Sequence, residues 1–380
     1  MDQKTDRPRV QTATVPPRVK GTRPPNEIDF WRGYALVAIF LNHIPGLWFE
    51  KLTHRNFGFS DSAELFVLLA GWSMRSLADR TIRASGPLHL FFRLGGRAIE
   101  LYVAQLVITI IAIAIIAATA FLADTNLVLQ WHNAAAVFED PATAHIGLAM
   151  LTHQLGYFDI LPLYVVLMAF APFMTLLHRY APTAVLPLSL LVYGATLTSA
   201  VNLPTWPVEG RWFFNPLAWQ LIFVIGFTLG GEGRVTDFVV RRRGWFRALG
   251  ALIVALGVAG TIYQWYPDPL NAPSPVLFFV ADKTFLTPLR LLHVLGLVAL
   301  VGGAFVWIFR WAQPLARFFS MLGRNSLNVF CVGSLLSLAG QVVRFVFGTS
   351  LWVDGAVLIV GLLVMSMTAW VSEWRARLKA

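Results

Sequence analysis

From Ile28 onward the chain reads as apolar blocks of about twenty residues, separated by short polar or basic connections. Ten blocks can be delimited, at roughly 28–46, 62–79, 98–122, 158–178, 183–201, 215–231, 247–266, 284–309, 320–343 and 351–372. About twenty apolar residues, rising 1.5 Å each as a helix, cross the hydrocarbon of a bilayer. Lipid offers the backbone no hydrogen-bond partner, so helices are the default spanning element, and strand-like alternation is absent. The pattern predicts an all-α polytopic membrane protein with about ten transmembrane helices over 28–372. A basic tail, 1–27, precedes them, and a short tail, 373–380, follows.

Composition agrees: of 380 residues, 57% are hydrophobic and only 13% charged, where a soluble domain carries about a quarter charged residues. This excludes a cytosolic enzyme and a nucleic-acid-binding domain. The single cysteine, Cys331, excludes intrachain disulfides and Cys-based metal sites, and inside an apolar helix it reads as a small buried filler. Residues 1–25 hold five prolines and six Lys/Arg with no apolar stretch. They are expected to be a disordered cytoplasmic tail rather than a cleaved signal peptide.

The net charge of +10 has a topological cause. With the N-terminus in the cytoplasm, 24 of the 30 Lys/Arg fall on the inner side, and the connection 123–157 has none. That is the positive-inside pattern. An even number of spans returns the basic C-terminal WRARLKA to the cytoplasm, so both termini are expected there.

Ionisable groups at membrane depth are expensive and are functional candidates by default. In IDFWRGYALVAIFLNHIPG, Asp29 and Arg32 share a helix face. His43 lies about 16 Å further along the axis, just before a Pro-Gly break. It is either a base for a hydroxyl or a structural histidine bonded to a carbonyl. The next block opens RNFGFSDSAELF, with Asp61 and Glu64 on one face. These carboxylates can orient a histidine, or they can form an N-terminal capping box. Asp159 sits in an apolar setting just past Tyr157. Asn215, Trp219 and Gln220 open another block, and Lys283, Arg290 and His293 a further one. Rings interleaved with hydrogen-bonding groups suit a sugar, although an interfacial aromatic belt uses tryptophans too. A guanidinium as deep as Arg290 needs an anionic partner, on the protein or on a substrate. On the inner side, Arg93 and Arg97 stand one turn apart, fit for phosphates, lipid headgroups or orientation alone. His132, His145 and His153 lack a compact metal-ligand pattern and read as loop residues. Leu148, Leu151 and Leu155 mark a short amphipathic segment beside them.

The segments DFWRGYALVAIFLNHIPG, RNFGFSDSAELFVLLAG, YFDILPLYVVLM, FNPLAWQLIFVIG, DKTFLTPLRLLHVLGL and LGRNSLNVFCVG resemble the OpgC family, inner-membrane proteins that succinylate osmoregulated periplasmic glucans. More distantly, Arg32-Gly33 leading to His43, the basic Arg93–Arg97 segment and Gly323-Arg324-Asn325-Ser326 are similar to acyltransferase family 3. The resemblance implies a multi-pass protein of the bacterial inner membrane. It implies an O-acyltransferase that moves a succinyl group from cytoplasmic succinyl-CoA to periplasmic glucan hydroxyls.

On that reading His43 is the general base, oriented by Asp61 or Glu64, with Asp159 as a substitute. Arg32, Arg93, Arg97 and Arg324 would hold acyl-CoA. Lys283, Arg290, His293, Asn215, Trp219 and Gln220 would hold substrate, and charge suggests Arg290 or Lys283 for the distal succinyl carboxylate. No metal and no resident cofactor is expected, succinyl-CoA being a substrate. Expected partners are membrane lipids, succinyl-CoA and the glucan, and not nucleic acid. Two competing readings stand beside it: an acyltransferase using acetyl-CoA or another exported polysaccharide, and a membrane transporter.

Overall fold

The computed structural model describes residues 23–378 apart from Tyr266, so positions 1–22 of the expected tail and the last two residues lie outside the described residues. Every apolar block has a helical counterpart. α1 is Glu27–Asn42, capped by the Asn26 side chain, which accepts from the Asp29 amide at 3.0 Å. α2, Ser62–Leu122, joins the blocks 62–79 and 98–122. The basic stretch between them, expected as a connection, is helical because good helix formers flank its one irregular residue. That residue is Gly86, with φ 82° and ψ 176°, followed by Pro87, and it breaks α2 into two rods end to end.

After α2 the long connection is structured rather than open. A 3₁₀ turn, Leu127–Asn133, precedes α3, Ala135–Glu139, and α4, Pro141–Ala149. Val137, Ala144 and Leu148 pack there in a small cluster against Ile113. Thus Leu148 does lie on a short helix, but Leu151 and Leu155 follow it in irregular chain. The remaining helices are α5 Ile160–Tyr180, α6 Val185–Ser199, α7 Pro216–Leu229, α8 Arg234–Arg241 and α9 Arg243–Ile262. Then come α10 Pro288–Val301, α11 Ala304–Trp311, α12 Gln313–Arg324, α13 Ser326–Phe347 and α14 Leu351–Leu378. α14 runs through most of the segment expected as a C-terminal tail. Five helices (α2, α5, α9, α13 and α14) are long and apolar enough to cross a membrane. The pair α10–α11, bent by 51°, makes a sixth if it is one span; α6 and α7 are apolar but shorter. There is no strand among the described residues.

Between apolar helices in lipid the hydrophobic drive is weak, so close backbone approach and dispersion hold the pairs together. α1 and α12 show this: a methyl at Gly33 would fall on the Phe319 carbonyl, and one at Gly323 on the Asp29 carbonyl. α2 and α7 repeat the device through Gly71 and Gly226. Gly33→Ala and Gly323→Ala should each lower stability by about 1–3 kcal/mol through overpacking. Gly95→Ala, where nothing stands within 4 Å of the new methyl, should not. Thermal unfolding in detergent followed by tryptophan fluorescence checks this, and equal melting temperatures for all three variants would contradict it.

Candidate active site

The helices α1, α2, α5 and α13 frame two adjoining cavities. The first, about 620 Å³, lies where α1 stops and α2 and α5 begin, and it is lined by His43, Asp61, Tyr157, Asp159, Lys283 and Arg290 among others. His43 caps the C-terminus of α1. α13 fixes it there through the backbone: the Gln341 amide donates to the His43 carbonyl at 2.6 Å, and Arg344 donates to the carbonyls of Pro45 and Gly46. Arg344 is itself ion-paired to Asp354 of α14 at 2.9 Å. The ring of His43 stacks on Tyr157 with centroids 4.6 Å apart, while its Nδ1 is buried without a hydrogen-bond partner.

The loop 123–157 adds His132, which is expected from the sequence to be an ordinary loop histidine. His132 approaches Tyr157 at 5.2 Å between ring centroids, and its Nε2 lies 2.8 Å from the Gln341 side-chain oxygen. Burial pushes the His132 imidazole below the usual histidine range, against the opposing effect of Gln341. His132 and Tyr157 both hold left-handed backbone, at φ 56° and 67°. That conformation costs a non-glycine residue about 1–2 kcal/mol, and such strain gathers at functional sites. Gln341 carries no sequence signal for this role, since it lies 298 residues from His43.

The carboxylates divide the labour differently from the sequence expectation. Asp61 and Glu64 form the capping box of α2: Asp61 accepts from the Ala63 amide at 2.8 Å, and Glu64 accepts from the Asp61 amide at 3.0 Å. Both are also ion-paired. Lys283 meets Asp61 at 2.6 Å, and Arg290 meets Glu64 through its Nε at 2.8 Å and Asp61 at 3.7 Å. Burial disfavours charge on Asp61, but Lys283 and Arg290 outweigh it and hold the carboxyl below the usual carboxylate range. No hydrogen bond joins either group to His43. Asp159, at the start of α5, makes no side-chain capping bond and lines the same cavity. It is the carboxylate there that has no cationic partner within ion-pair distance. Neither Asp61 nor Glu64 is thus hydrogen-bonded to the His43 ring, and Asp159 lines the cavity as a carboxylate without an ion pair among the described residues.

Arg290 and Lys283 line the cavity, ion-paired with Glu64 and Asp61 rather than standing free. Arg55, lining the cavity beside His43, is instead the cation there without an ion pair among the described residues. Three other expected substrate contacts prove structural. Asn215 is fully buried and caps α7, accepting from the Leu217 amide at 3.0 Å. Trp219 is fully buried, its indole N–H donating to the Lys283 carbonyl at 3.0 Å. Gln220 pairs with Ser189 of α6 at 2.6 Å, away from both cavities. His293 lies behind the cavity wall, with Nδ1 2.7 Å from the Ser60 hydroxyl and its ring packed on Gly58 and Gly257.

The second cavity, about 560 Å³, is basic. Arg23, Arg32, Arg80, Arg93 and Arg97 line it, against Glu100 as its only carboxylate among the described residues. Arg93 donates to the Thr81 hydroxyl at 2.9 Å, and Arg97 pairs with Glu100 at 2.6 Å. Arg32 is largely buried, with Asp29 at 3.7 Å and bonds to the Leu69 carbonyl and the Ser73 hydroxyl. Arg324 does not join them: it pairs with Glu373 of α14 at 2.7 Å. No cluster of three or more His, Cys, Asp or Glu able to hold a metal occurs among the described residues.

Compared with known proteins, residues 25–377 match the family model described as OpgC protein. No curated protein and no solved structure matches significantly.

Proposed function

Because the chain belongs to the OpgC family, a membership that implies a glucan-modifying transferase in a membrane, we propose that it is a transmembrane O-acyltransferase moving a succinyl group from cytoplasmic succinyl-CoA to hydroxyls of periplasmic glucans. The observation that carries the reading is a pair of adjoining cavities framed by the same helices, one basic and one built around His43. A reaction between a cytoplasmic donor and a periplasmic acceptor needs two entrances. The positive-inside pattern orients the basic cavity to the cytoplasm. With α2 counted as two rods, the bent pair α10–α11 as one span, and α1, α6 and α7 as short spans, the count reaches ten in the bacterial inner membrane.

In this mechanism the phosphates of succinyl-CoA sit among Arg32, Arg93 and Arg97, where guanidinium groups give charge-assisted hydrogen bonds. His43 takes the proton from a glucan hydroxyl as its oxygen attacks the thioester carbonyl. The tetrahedral intermediate collapses, the carbon–sulfur bond breaks, and the thiolate receives the proton from the imidazolium. One ester and one free thiol result. Asp159 stabilises the imidazolium, and Arg55 faces the distal succinyl carboxylate.

The test is release of free CoA by the purified chain in nanodiscs, with succinyl-CoA or acetyl-CoA, with and without periplasmic glucan. Glucan-dependent release favouring succinyl-CoA is the expected result. Release from acetyl-CoA alone would move the donor assignment, and an absence of binding and turnover with either would favour transport. Within the same assay Asp159→Asn should lower kcat by about 10-fold or more, since an uncharged amide cannot stabilise the imidazolium. A larger loss in Asp61→Asn, with the fold intact, would return the orienting role to Asp61.

A further inference from the structure

Among the described residues, Phe330 alone lines both cavities. It sits on the second turn of α13 and is 2% exposed. Its ring lies parallel to that of Phe66 with centroids 6.1 Å apart, and Tyr164 meets Phe66 edge-on at 5.7 Å. On α2, Ala63 faces the His43 cavity, while Phe66, one turn on, faces the basic one. On α5 the same change occurs between Ile160 and Leu161. The partition between the cavities is thus one layer of side chains thick, contributed by three helices. It is apolar except at one point: the Tyr164 hydroxyl is buried with no hydrogen-bond partner. Leaving such a group unpaired costs about 1–3 kcal/mol, and an amide of a threading ligand would relieve it.

We propose that Phe330 is the residue that selects the acyl donor by size, its ring closing the aperture through which a slender, amide-bearing thioester arm reaches His43. The inference rests on the acyl-transfer reading above. A ring held by stacking rather than by hydrogen bonds can turn aside without breaking a polar contact, so the aperture opens for a narrow, unbranched arm. The closed ring keeps water of the His43 cavity from the thioester until an arm is seated. The reaction is unchanged: the glucan oxygen forms the new ester bond, the carbon–sulfur bond breaks and the proton passes through His43 to the thiol.

The experiment uses the full chain in nanodiscs and measures two quantities separately: the Kd of succinyl-CoA by calorimetry, and the release of free CoA with and without glucan. Phe330→Trp is expected to keep the Kd within about twofold and lose about tenfold or more of turnover, because the arm binds but cannot reach the base. Phe330→Ala is expected to raise the turnover of a branched donor, isobutyryl-CoA, relative to succinyl-CoA by about tenfold, and to raise CoA release without glucan. Phe66→Trp narrows the same aperture from α2, and serves where Phe330→Trp does not give folded protein. Wild-type donor ratios and turnover in all folded variants would overturn the role of Phe330 while leaving acyl transfer intact. A wild-type chain that neither binds nor turns over acyl-CoA would overturn the acyl-transfer reading itself.

Discussion

His43→Ala is expected to lower glucan-dependent CoA release by about 10²–10⁴-fold, the usual contribution of a positioned general base, while succinyl-CoA binding changes by less than about twofold. The two expectations separate because the imidazole and the arginines belong to different cavities. Asp61, which lines the same cavity, is held by Lys283, and Glu64 behind it by Arg290, so neither replaces the lost base. His132 also packs on Tyr157 and hydrogen-bonds Gln341, and it is the imidazole to compare. Steady-state kinetics on folded variants decide the matter. Retention of more than half the activity in His43→Ala would remove His43 from the chemistry. A loss in His132→Ala that exceeds the His43→Ala loss would transfer the role to His132.

Glu64→Ala is expected to destabilise the protein more than any other single change considered, by about 3–5 kcal/mol. The reason is the asymmetry of buried ion pairs: a pair is near neutral as a whole, but removing one partner leaves an unsatisfied charge. Glu64 is fully buried, caps its own helix and holds the guanidinium of Arg290 across from α10. Its loss leaves Arg290 with Asp61 at 3.7 Å, a carboxylate already shared with Lys283. Thermal unfolding in detergent measures the effect. The double variant Glu64→Leu with Arg290→Leu should recover part of the loss, since it removes both charges together. A melting temperature for Glu64→Ala within a degree or two of wild type would show that the pair is not desolvated as described.

Much of this molecule is legible along one dimension. Apolar block length requires helices, because lipid cannot satisfy a backbone, and charge asymmetry supplies an expected orientation. His43 and Arg93–Arg97 stand out because polar groups are costly among apolar neighbours, and the same segments carry the family resemblance. The capping reading of Asp61 and Glu64 was equally available, since a cap is a local pattern of four residues. The count of spans is less legible: the basic stretch between two apolar blocks is itself helical, and only the backbone at Gly86 marks the break.

What the sequence could not supply is partnership across the fold. Whether Arg290 answers a substrate or the protein depended on Glu64, 226 residues away. Asn215, Trp219 and His293 looked like a sugar site by type, yet Asn215 caps a helix, Trp219 donates to a loop carbonyl and His293 Nδ1 is bonded to the Ser60 hydroxyl. Asp159 gained weight only when its rivals proved occupied. His132, Gln341 and Phe330 gave no signal, because a loop histidine, a helical glutamine and an apolar phenylalanine are ordinary residues until packing sets them beside His43 or between two cavities. Local propensity and hydropathy act on neighbours in the chain and fix the elements. Hydrogen-bond and charge satisfaction act on neighbours in space, and only the tertiary structure decides which polar groups remain free to do chemistry.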